Sequence, residues 1–470
     1  MVLNSDDTSK PSARGGNHTS GRPKQGRPTL SAPAKPGLGA RAAASKILAA
    51  VVDRKTPLDG MLDAENGNPA YRVLEDNDRA LVRAILNSAL RHLPRIDAAI
   101  ASMLDSPLPE GARALYHVLV VAAAQMLYLD VPDHSAVDLA VEQANQDPRN
   151  RRFAKLVNAV LRRIGREKQA ILDSTSSVPA MPLWFLKRLE AAYGREAALA
   201  ISETQLEPAA IDVTVKSDPA GWAKRLNGVV LPTGSVRLAA FDGSIPSLPG
   251  FSEGQWWVQD AAASIPAKLF GSLTGKRVVD LCAAPGGKTA QLILAGGAVT
   301  ALDQSASRLK RLSSNLARLG IEAETVVADM AKFEPAELFD AALLDAPCSS
   351  TGTTRRHPDV LWTKGPEDIA KLAALQERLL AHALTLVKPG GIVVFSNCSL
   401  DPSEGELLVA RVLANNAAVE RVPISAEDWP GLETAISPLG EFRTTPSMLP
   451  LSQGFASGLD GFFAVVLRRI

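Results

Sequence analysis

The chain has 470 residues, 46% hydrophobic and 21% charged, with a formal net charge of +1. That length exceeds one ordinary core, so two or three units are expected, and a near-zero balance excludes reading a nucleic-acid or membrane partner from overall charge. Three cysteines, Cys282, Cys348 and Cys398, with neither CxxC spacing nor a histidine cluster, exclude a complete disulfide framework and a structural zinc site. Reduced thiols and no metal are therefore expected. The most apolar stretch, "ALYHVLVVAAAQMLYL" at 114–129, is short for a membrane span and carries His117 and Gln125, which predicts a buried helix. The first residues lack the apolar core of a signal peptide. The expectation is a cytoplasmic, monomeric protein without a membrane contact.

Residues 1–38 carry six Lys or Arg against two acids and almost no large apolar groups. Such a segment buries too little surface to offset its chain entropy, which predicts a disordered basic tail. From 39 to 170 the pattern is helical and no strand is evident. In "FAKLVNAVLRRI", Phe153, Leu156, Val157, Val160, Leu161 and Ile164 recur at three- and four-residue spacings, one face of an amphipathic helix. Around it Arg149, Arg151, Arg152, Lys155, Arg162, Arg163, Arg166 and Lys168 face a single acid, Glu167. That run reads equally as a solvated helix face or as a phosphate contact. The segment "VPDHSAVDLAVEQANQDPRNRRFAKLVNAVLRRI" resembles the second half of the NusB domain, a helical RNA-binding fold. The resemblance implies that 39–170 binds structured RNA or docks the protein on it.

Residues 171–255 read as a helical connector followed by a small α+β subdomain, with short strands at "AIDVTV" and "GVVLPTG". Trp256 and Trp257 read as a buried aromatic pair at a junction as readily as a base-stacking pair, and no recognition role is assigned to them.

The remainder, 256–470, alternates strands and helices. "KRVVDLC" is a buried strand, "AAPGGKT" a glycine-bearing loop and "TAQLIL" the start of a helix; "AVTALD", "AETVVAD", "FDAALLD" and "GIVVFSNC" continue the series. This predicts a mostly parallel, Rossmann-like sheet with helices on both faces and a site at the strands' C-terminal ends. The loop is neither GxGxxG nor a Walker A sequence, which makes it a poor triphosphate cradle. Gly286 and Gly287 instead let the backbone approach a compact ligand. Asp303, 23 residues after Asp280, is placed to accept from ribose hydroxyls, and Asp329 from an adenine amino group. These acids fit an adenosine-bearing cofactor, NAD or S-adenosylmethionine; capping of helix N-termini is the competing explanation.

The cysteines favour the second cofactor. A pyrimidine is not nucleophilic at C5 until something adds to C6, and a thiolate can do so. Two thiols at strand ends, Cys348 and Cys398, suit that demand better than hydride transfer. Cys282 is read as a small buried hydrophobe.

"DLCAAPGGKT", "ALDQS", "VVADM", "LLDAPCSSTGTTRRHPDV" and "FSNCSLDPSEGE" resemble, in order, the motifs of the Nol1/Nop2/Sun family of RNA cytosine-C5 methyltransferases. The resemblance implies that Cys398 is the nucleophile and that Cys348 assists release of the covalent RNA adduct. It implies that Cys282, Ala283, Ala284, Pro285, Gly286, Gly287 and Lys288 wrap the methionine and ribose of S-adenosylmethionine. By the same resemblance Asp303 binds the ribose, Asp329 the adenine edge, and Asp345 lies between cofactor and target base, where it contacts N3 or N4 of cytosine. The implied substrate is 16S rRNA, free or in an assembling small subunit, at a cytosine in the helix 31 loop; tRNA and a non-catalytic scaffold are the alternatives. One departure is Asn397, where the family usually has threonine before the nucleophile. Arg355, Arg356 and His357 are expected either to meet phosphates or the flipped base, or to form a surface loop held by Pro358. A base in structured RNA has to be unstacked before a thiolate reaches C6.

Overall fold

The computed structural model describes residues 35–241, 243–451 and 454–470. The expected tail lies almost wholly outside the described residues, and the first helix starts at Leu38, the last residue of that prediction. Seven helices of eight residues or more follow between Leu38 and Thr175: Leu38–Arg54, Asp76–Arg91, Leu93–Ser102, Arg113–Tyr128, Asp133–Gln146, Ala154–Arg166 and Lys168–Thr175. Among the described residues this region holds no strand. The apolar stretch at 114–129 is the central helix, buried from Val118 to Leu127. Its two polar side chains are paired on burial, save for His117 Nδ1, which has no partner among the described residues. Gln125 accepts from Arg41 Nε (2.9 Å) and donates to the Val121 carbonyl (2.8 Å), and His117 Nε2 meets Asp53 Oδ2 at 2.7 Å. In Ala154–Arg166 the buried face is Ala154, Val157, Val160, Leu161 and Ile164, with Phe153 and Leu156 partly buried beside it.

Helices Leu183–Tyr193 and Arg195–Thr204 lead to a four-stranded antiparallel sheet of β1 (Asp212–Val215), β2 (Gly228–Val230), β3 (Val236–Leu238) and β4 (Trp256–Val258), in the order β2-β3-β1-β4. The boundary expected at 255/256 cuts through this sheet, because β4 pairs with β1. Apolar sequence at 256–258 reads like the start of the next unit, whereas pairing assigns it to the previous one. Trp256 is fully buried, its indole donating to the Pro249 carbonyl at 2.9 Å, and Trp257 donates to Gln259 Oε1 at 2.9 Å.

The larger sheet contains β5 (Arg277–Leu281), β6 (Ala298–Asp303), β7 (Glu324–Val327), β8 (Phe339–Asp345), β9 (Val387–Asn397), β10 (Val419–Val422), β11 (Phe442–Thr444) and β12 (Phe462–Arg469). Its order is β10-β12-β9-β8-β5-β6-β7, with β11 on β12. β5 to β9 run parallel, and β12 enters antiparallel between β9 and β10. Alternation drives the layering: along β8, Ala342 and Leu344 enter the core on one face while Ala341 and Leu343 enter the core on the other. The chain winds outward from β5 through β6 and β7, then restarts at β8 on the other side. The crevice past the ends of β5 and β8 is therefore the topological switch point, where open sheets bind ligands.

Candidate active site

The loop after β5 is shaped before any ligand is considered. Cys282 takes a left-handed backbone (φ 73°), the Ala284–Pro285 peptide is cis, and Gly286 (φ 102°) opens the helix Gly287–Leu294. A Cβ on Gly286 would also sit 3.0 Å from Leu312 Cγ. The helix Ala306–Arg318 steadies the loop, with Arg308 Nη2 donating to the Ala284 carbonyl (2.8 Å) and Asn315 Nδ2 to that of Pro285 (2.9 Å). Burial and nearby carboxylates push the Cys282 thiol up to about 12, so it stays neutral. Asp280 lies beneath, accepting from Thr289 Oγ1 at 2.7 Å, and burial pushes it up to about 7.

Of the expected cofactor residues, Cys282, Ala284, Asp303, Asp329 and Asp345 line one cleft of about 520 Å³. Asp303 accepts from the Ser305 amide (2.9 Å) through Oδ1, while among the described residues its buried Oδ2 has no hydrogen-bond donor and only Arg308 Nη1 at ion-pair distance, 3.2 Å. Asp329 lies beyond the end of β7, is exposed, and uses Oδ1 to cap a short turn through the Ala331 amide (3.1 Å). Capping thus accounts for one of its oxygens. Lys288 does not itself line the cleft but reaches a residue that does: its Nζ donates to Asp345 Oδ2 at 2.6 Å, and Ser396 Oγ donates to Asp345 Oδ1 at 3.0 Å. Pro285 faces a neighbouring groove, and Ala283, Gly286 and Gly287 line neither space.

That groove, about 670 Å³, shares Ala284, Arg308, Ser350 and both expected catalytic thiols with the cleft. β8 and β9 are adjacent, with Asp345 opposite Ser396, so both strands deliver a cysteine to one point: Cys348 Sγ and Cys398 Sγ are 3.5 Å apart. Cys398 itself and burial hold the Cys348 thiol well above its ordinary range. Glu404, fully buried, ties the two loops together. It accepts from the Ser349 amide (2.9 Å), Ser349 Oγ (2.5 Å), Ser399 Oγ (2.6 Å) and Gln376 Nε2 (2.8 Å). Asn397 joins this network, donating to Gln376 Oε1 (3.0 Å) and the Glu404 carbonyl (2.6 Å) and accepting from the Ser399 amide (3.0 Å). The residue in the threonine's place therefore braces the loop that carries Cys398.

The arginines at 355 and 356 lie neither beside the thiols, where a flipped base would sit, nor on a solvated surface loop. Arg355 is 2% exposed and donates to the Ser457 carbonyl (2.9 Å), and Arg356 is ion-paired with Asp260 and with Asp460 (3.1 Å). Both arginines are pulled into buried contacts with the C-terminal loop, away from the thiols. His357 alone reaches the groove, where its Nδ1 lies 3.6 Å from the Asp59 carboxylate of the N-terminal helical region, whose proximity raises its pKa. The Leu58 amide donates to Asp359 Oδ2 (3.0 Å), and Trp362 Nε1 to the Leu90 carbonyl (3.0 Å). Sequence reading missed Pro57, Asp59, Arg311 and Lys364 in this groove, and Gln376 and Glu404 behind it. Glu404 lies in the quoted "CSLDPSEGE", but nothing local distinguishes it from a solvated acid.

An open sheet whose parallel strands deliver acids and thiols to one switch-point cleft, with an antiparallel strand inserted last, defines the methyltransferase class of α/β folds. The model of the family described as "16S rRNA methyltransferase RsmB/F" matches residues 270–468, and that of the NusB family matches 38–166. The chain is 36% identical over 410 residues to Ribosomal RNA small subunit methyltransferase B of Vibrio vulnificus (strain YJ016), covering 83% of this chain and 94% of that one. It is 38% identical over 435 residues to the protein of that name from Xylella fastidiosa (strain 9a5c), covering 89% and 98%. The crystal structure of PH0851 shares the fold at TM-score 0.68 and 21% identity, over 93% of this chain and 99% of that one. The chain belongs to the RsmB/F family of RNA methyltransferases and carries a NusB domain at its front.

Proposed function

We propose that the protein transfers a methyl group from S-adenosylmethionine to C5 of one cytosine in 16S rRNA, in the helix 31 loop, through a covalent bond between Cys398 and C6. The observation that carries this reading is the pair of thiols 3.5 Å apart at the lip shared by cleft and groove. The cleft residues fit the cofactor. Asp303 Oδ2 is a buried acceptor without a donor, which a ribose hydroxyl supplies, and Asp329 keeps one oxygen for an exocyclic amine. Bound S-adenosylmethionine supplies an electrophilic methyl on a sulfonium, for which C5 of the Cys398 adduct is the nucleophile.

Each side chain then has a task. Cys348, held protonated beside Cys398, donates its S–H toward the Cys398 thiolate before attack and so stabilises it. Cys398 adds to C6, forming the S–C bond and moving an electron pair into the ring. Asp345, clamped by Lys288 and Ser396, presents carboxylate oxygens to the cytosine amino edge. Once the Cys398 sulfur is bonded to C6, the largest cause of the raised Cys348 pKa is gone. Cys348 can accept only as a thiolate, so its own S–H proton first leaves to solvent through the groove; the thiolate then takes the C5 proton, the S–C bond breaks and the Cys398 thiolate returns.

Bisulfite sequencing of 16S rRNA incubated with protein and S-adenosylmethionine tests the reading. One protected cytosine, absent with Cys398→Ala, is the expected result. Protection appearing only in tRNA would replace the substrate, and protection in neither RNA would leave a non-catalytic scaffold.

A further inference from the structure

A second cavity, about 460 Å³, lies behind the loop that carries Arg355 and Arg356. Its walls come from three places: helix Asp76–Arg91 with His92, the connector at Leu206–Ala209, and this loop. It contains no part of the cofactor cleft or the thiol groove. The same short loop serves both spaces, since Thr353 and His357 line the thiol groove while Arg355 and Arg356 line this cavity.

The lining itself is cationic. It includes Arg91, Arg355 and Arg356 and no carboxylate. The charge of Arg356 is balanced by Asp260 and Asp460. Arg91 instead spends its donors on carbonyls, those of Gln205 (3.0 Å) and Arg355 (2.7 Å), and among the described residues neither Arg91 nor Arg355 has an acid at ion-pair distance. Buried polar atoms without partners gather here as well. Ser88 Oγ, His92 Nδ1 and Arg355 Nε and Nη2 belong to lining residues, and Gln205 and Thr354 contribute more just behind. One wall is flat: the His92 ring stacks on Tyr128 at 3.8 Å, and burial next to Arg91 and Arg95 holds His92 neutral, down to about 4. Partly desolvated guanidinium groups whose nearest acids, Glu207 for Arg91 and Asp460 and Asp260 for Arg355, stand beyond ion-pair distance and outside the lining, beside unsatisfied donors, make an environment that stabilises an anion. A planar aromatic wall next to it suits a nucleotide.

We infer that this cavity is a second phosphate-binding site, which takes a backbone phosphate of the RNA away from the target cytosine and so registers the strand across the helical and catalytic regions. The inference rests on the proposed RNA substrate. The phosphate contact would pull on the loop whose other side lines the thiol groove, which makes it a positioning contact and assigns it no part in bond making.

Arg91 also clamps two backbone segments, so its removal would confuse binding with folding. Ala84 is exposed at the cavity wall. The test uses the full chain with Ala84→Glu and Ala84→Lys, measuring the Kd of a 16S rRNA transcript over a salt series, the Kd of inorganic phosphate at fixed ionic strength, and the urea midpoint. Expected for Ala84→Glu is RNA binding weakened about fivefold and a shallower salt dependence, with KM for RNA rising more than kcat falls and the urea midpoint unmoved. Ala84→Lys should shift RNA affinity the other way. RNA binding by Ala84→Glu that matches the parent overturns the inference. Saturable inorganic phosphate binding that Ala84→Glu abolishes, with RNA affinity unchanged, also overturns it, since the site would then serve a free phosphate ligand. Binding is read without turnover, so a parent protein that binds RNA but methylates nothing would defeat the proposed function and leave this result standing.

Discussion

The cofactor cleft and the thiol groove share a lip but are built differently. The cleft is made of strand ends, each next to its own strand in sequence, so Asp303 and Asp345 arrive wherever β6 and β8 end. The groove joins Asp59 to His357, and the Leu58 amide to Asp359, across some three hundred residues of chain. Local pattern therefore places the first, and only packing of the helical region on the catalytic sheet places the second. The cleft should consequently tolerate changes in the N-terminal region that the groove does not.

The largest expected effect lies where the two spaces meet. Cys398→Ala should lower methylation by at least about a thousandfold, read as methyl incorporation into RNA. Cys348→Ala should instead accumulate protein bound covalently to RNA on a denaturing gel. An adduct in Cys398→Ala and none in Cys348→Ala would exchange the two roles.

Next in size is a change that loosens the frame around both. Arg237 and Asp212 are fully buried and bidentate, at 2.7 and 2.8 Å, and Arg237 also donates to the Ala456 and Gly458 carbonyls. Arg237→Ala leaves a buried carboxylate unpaired, at a cost of about 3–5 kcal/mol, measurable by urea denaturation. Full stability in that variant would show that the small sheet is not coupled to the C-terminal loop by this pair.

Smaller, and confined to the cleft, is Asp303→Ala. Losing a buried acceptor for a ligand hydroxyl should weaken S-adenosylmethionine binding by about 1–3 kcal/mol, seen by calorimetry, with RNA affinity unchanged. Equal loss of both affinities would contradict the separation of cleft and groove.

The smallest effect belongs to the groove. Asp59 raises the His357 pKa, so this contact stabilises the folded chain fully below the ordinary histidine value, near 6.5, and the contribution fades as pH rises through the folded value. His357 is 44% exposed on its side chain, so solvent screens the pair and the effect is modest. Urea midpoints of the parent and Asp59→Asn should differ more at pH 6 than at pH 8. A difference constant across that range would remove His357 from the contact between the two regions.

Much of the catalytic half was legible because its signals are local. Apolar runs ending in an acid or a cysteine gave strands and their edge residues, and β8 and β9 then brought Cys348 and Cys398 together. The amphipathic spacing at 153–164 gave its helix and buried face. The surface-loop reading of Arg355 and Arg356 failed because a charged, glycine-bearing loop looks solvated until its partners, Ser457, Asp260 and Asp460, are known. Trp256 was assigned to the wrong unit because strand identity says nothing about which edge a strand joins.

By itself the sequence determined the parallel strand series β5 to β9, the helical front, the residues at those strand ends and the chemistry those residue types permit, since each follows from neighbours along the chain; β10, β11 and β12 became evident only in the sheet. Tertiary structure decided that two sulfurs fifty positions apart lie in contact, that Glu404 and Asn397 brace them, and that the N-terminal region supplies one wall of the groove. The physical reason is that a buried carboxyl, an ion pair or a cavity wall is defined by the groups facing it, and distant parts of the chain supply those only once it has folded.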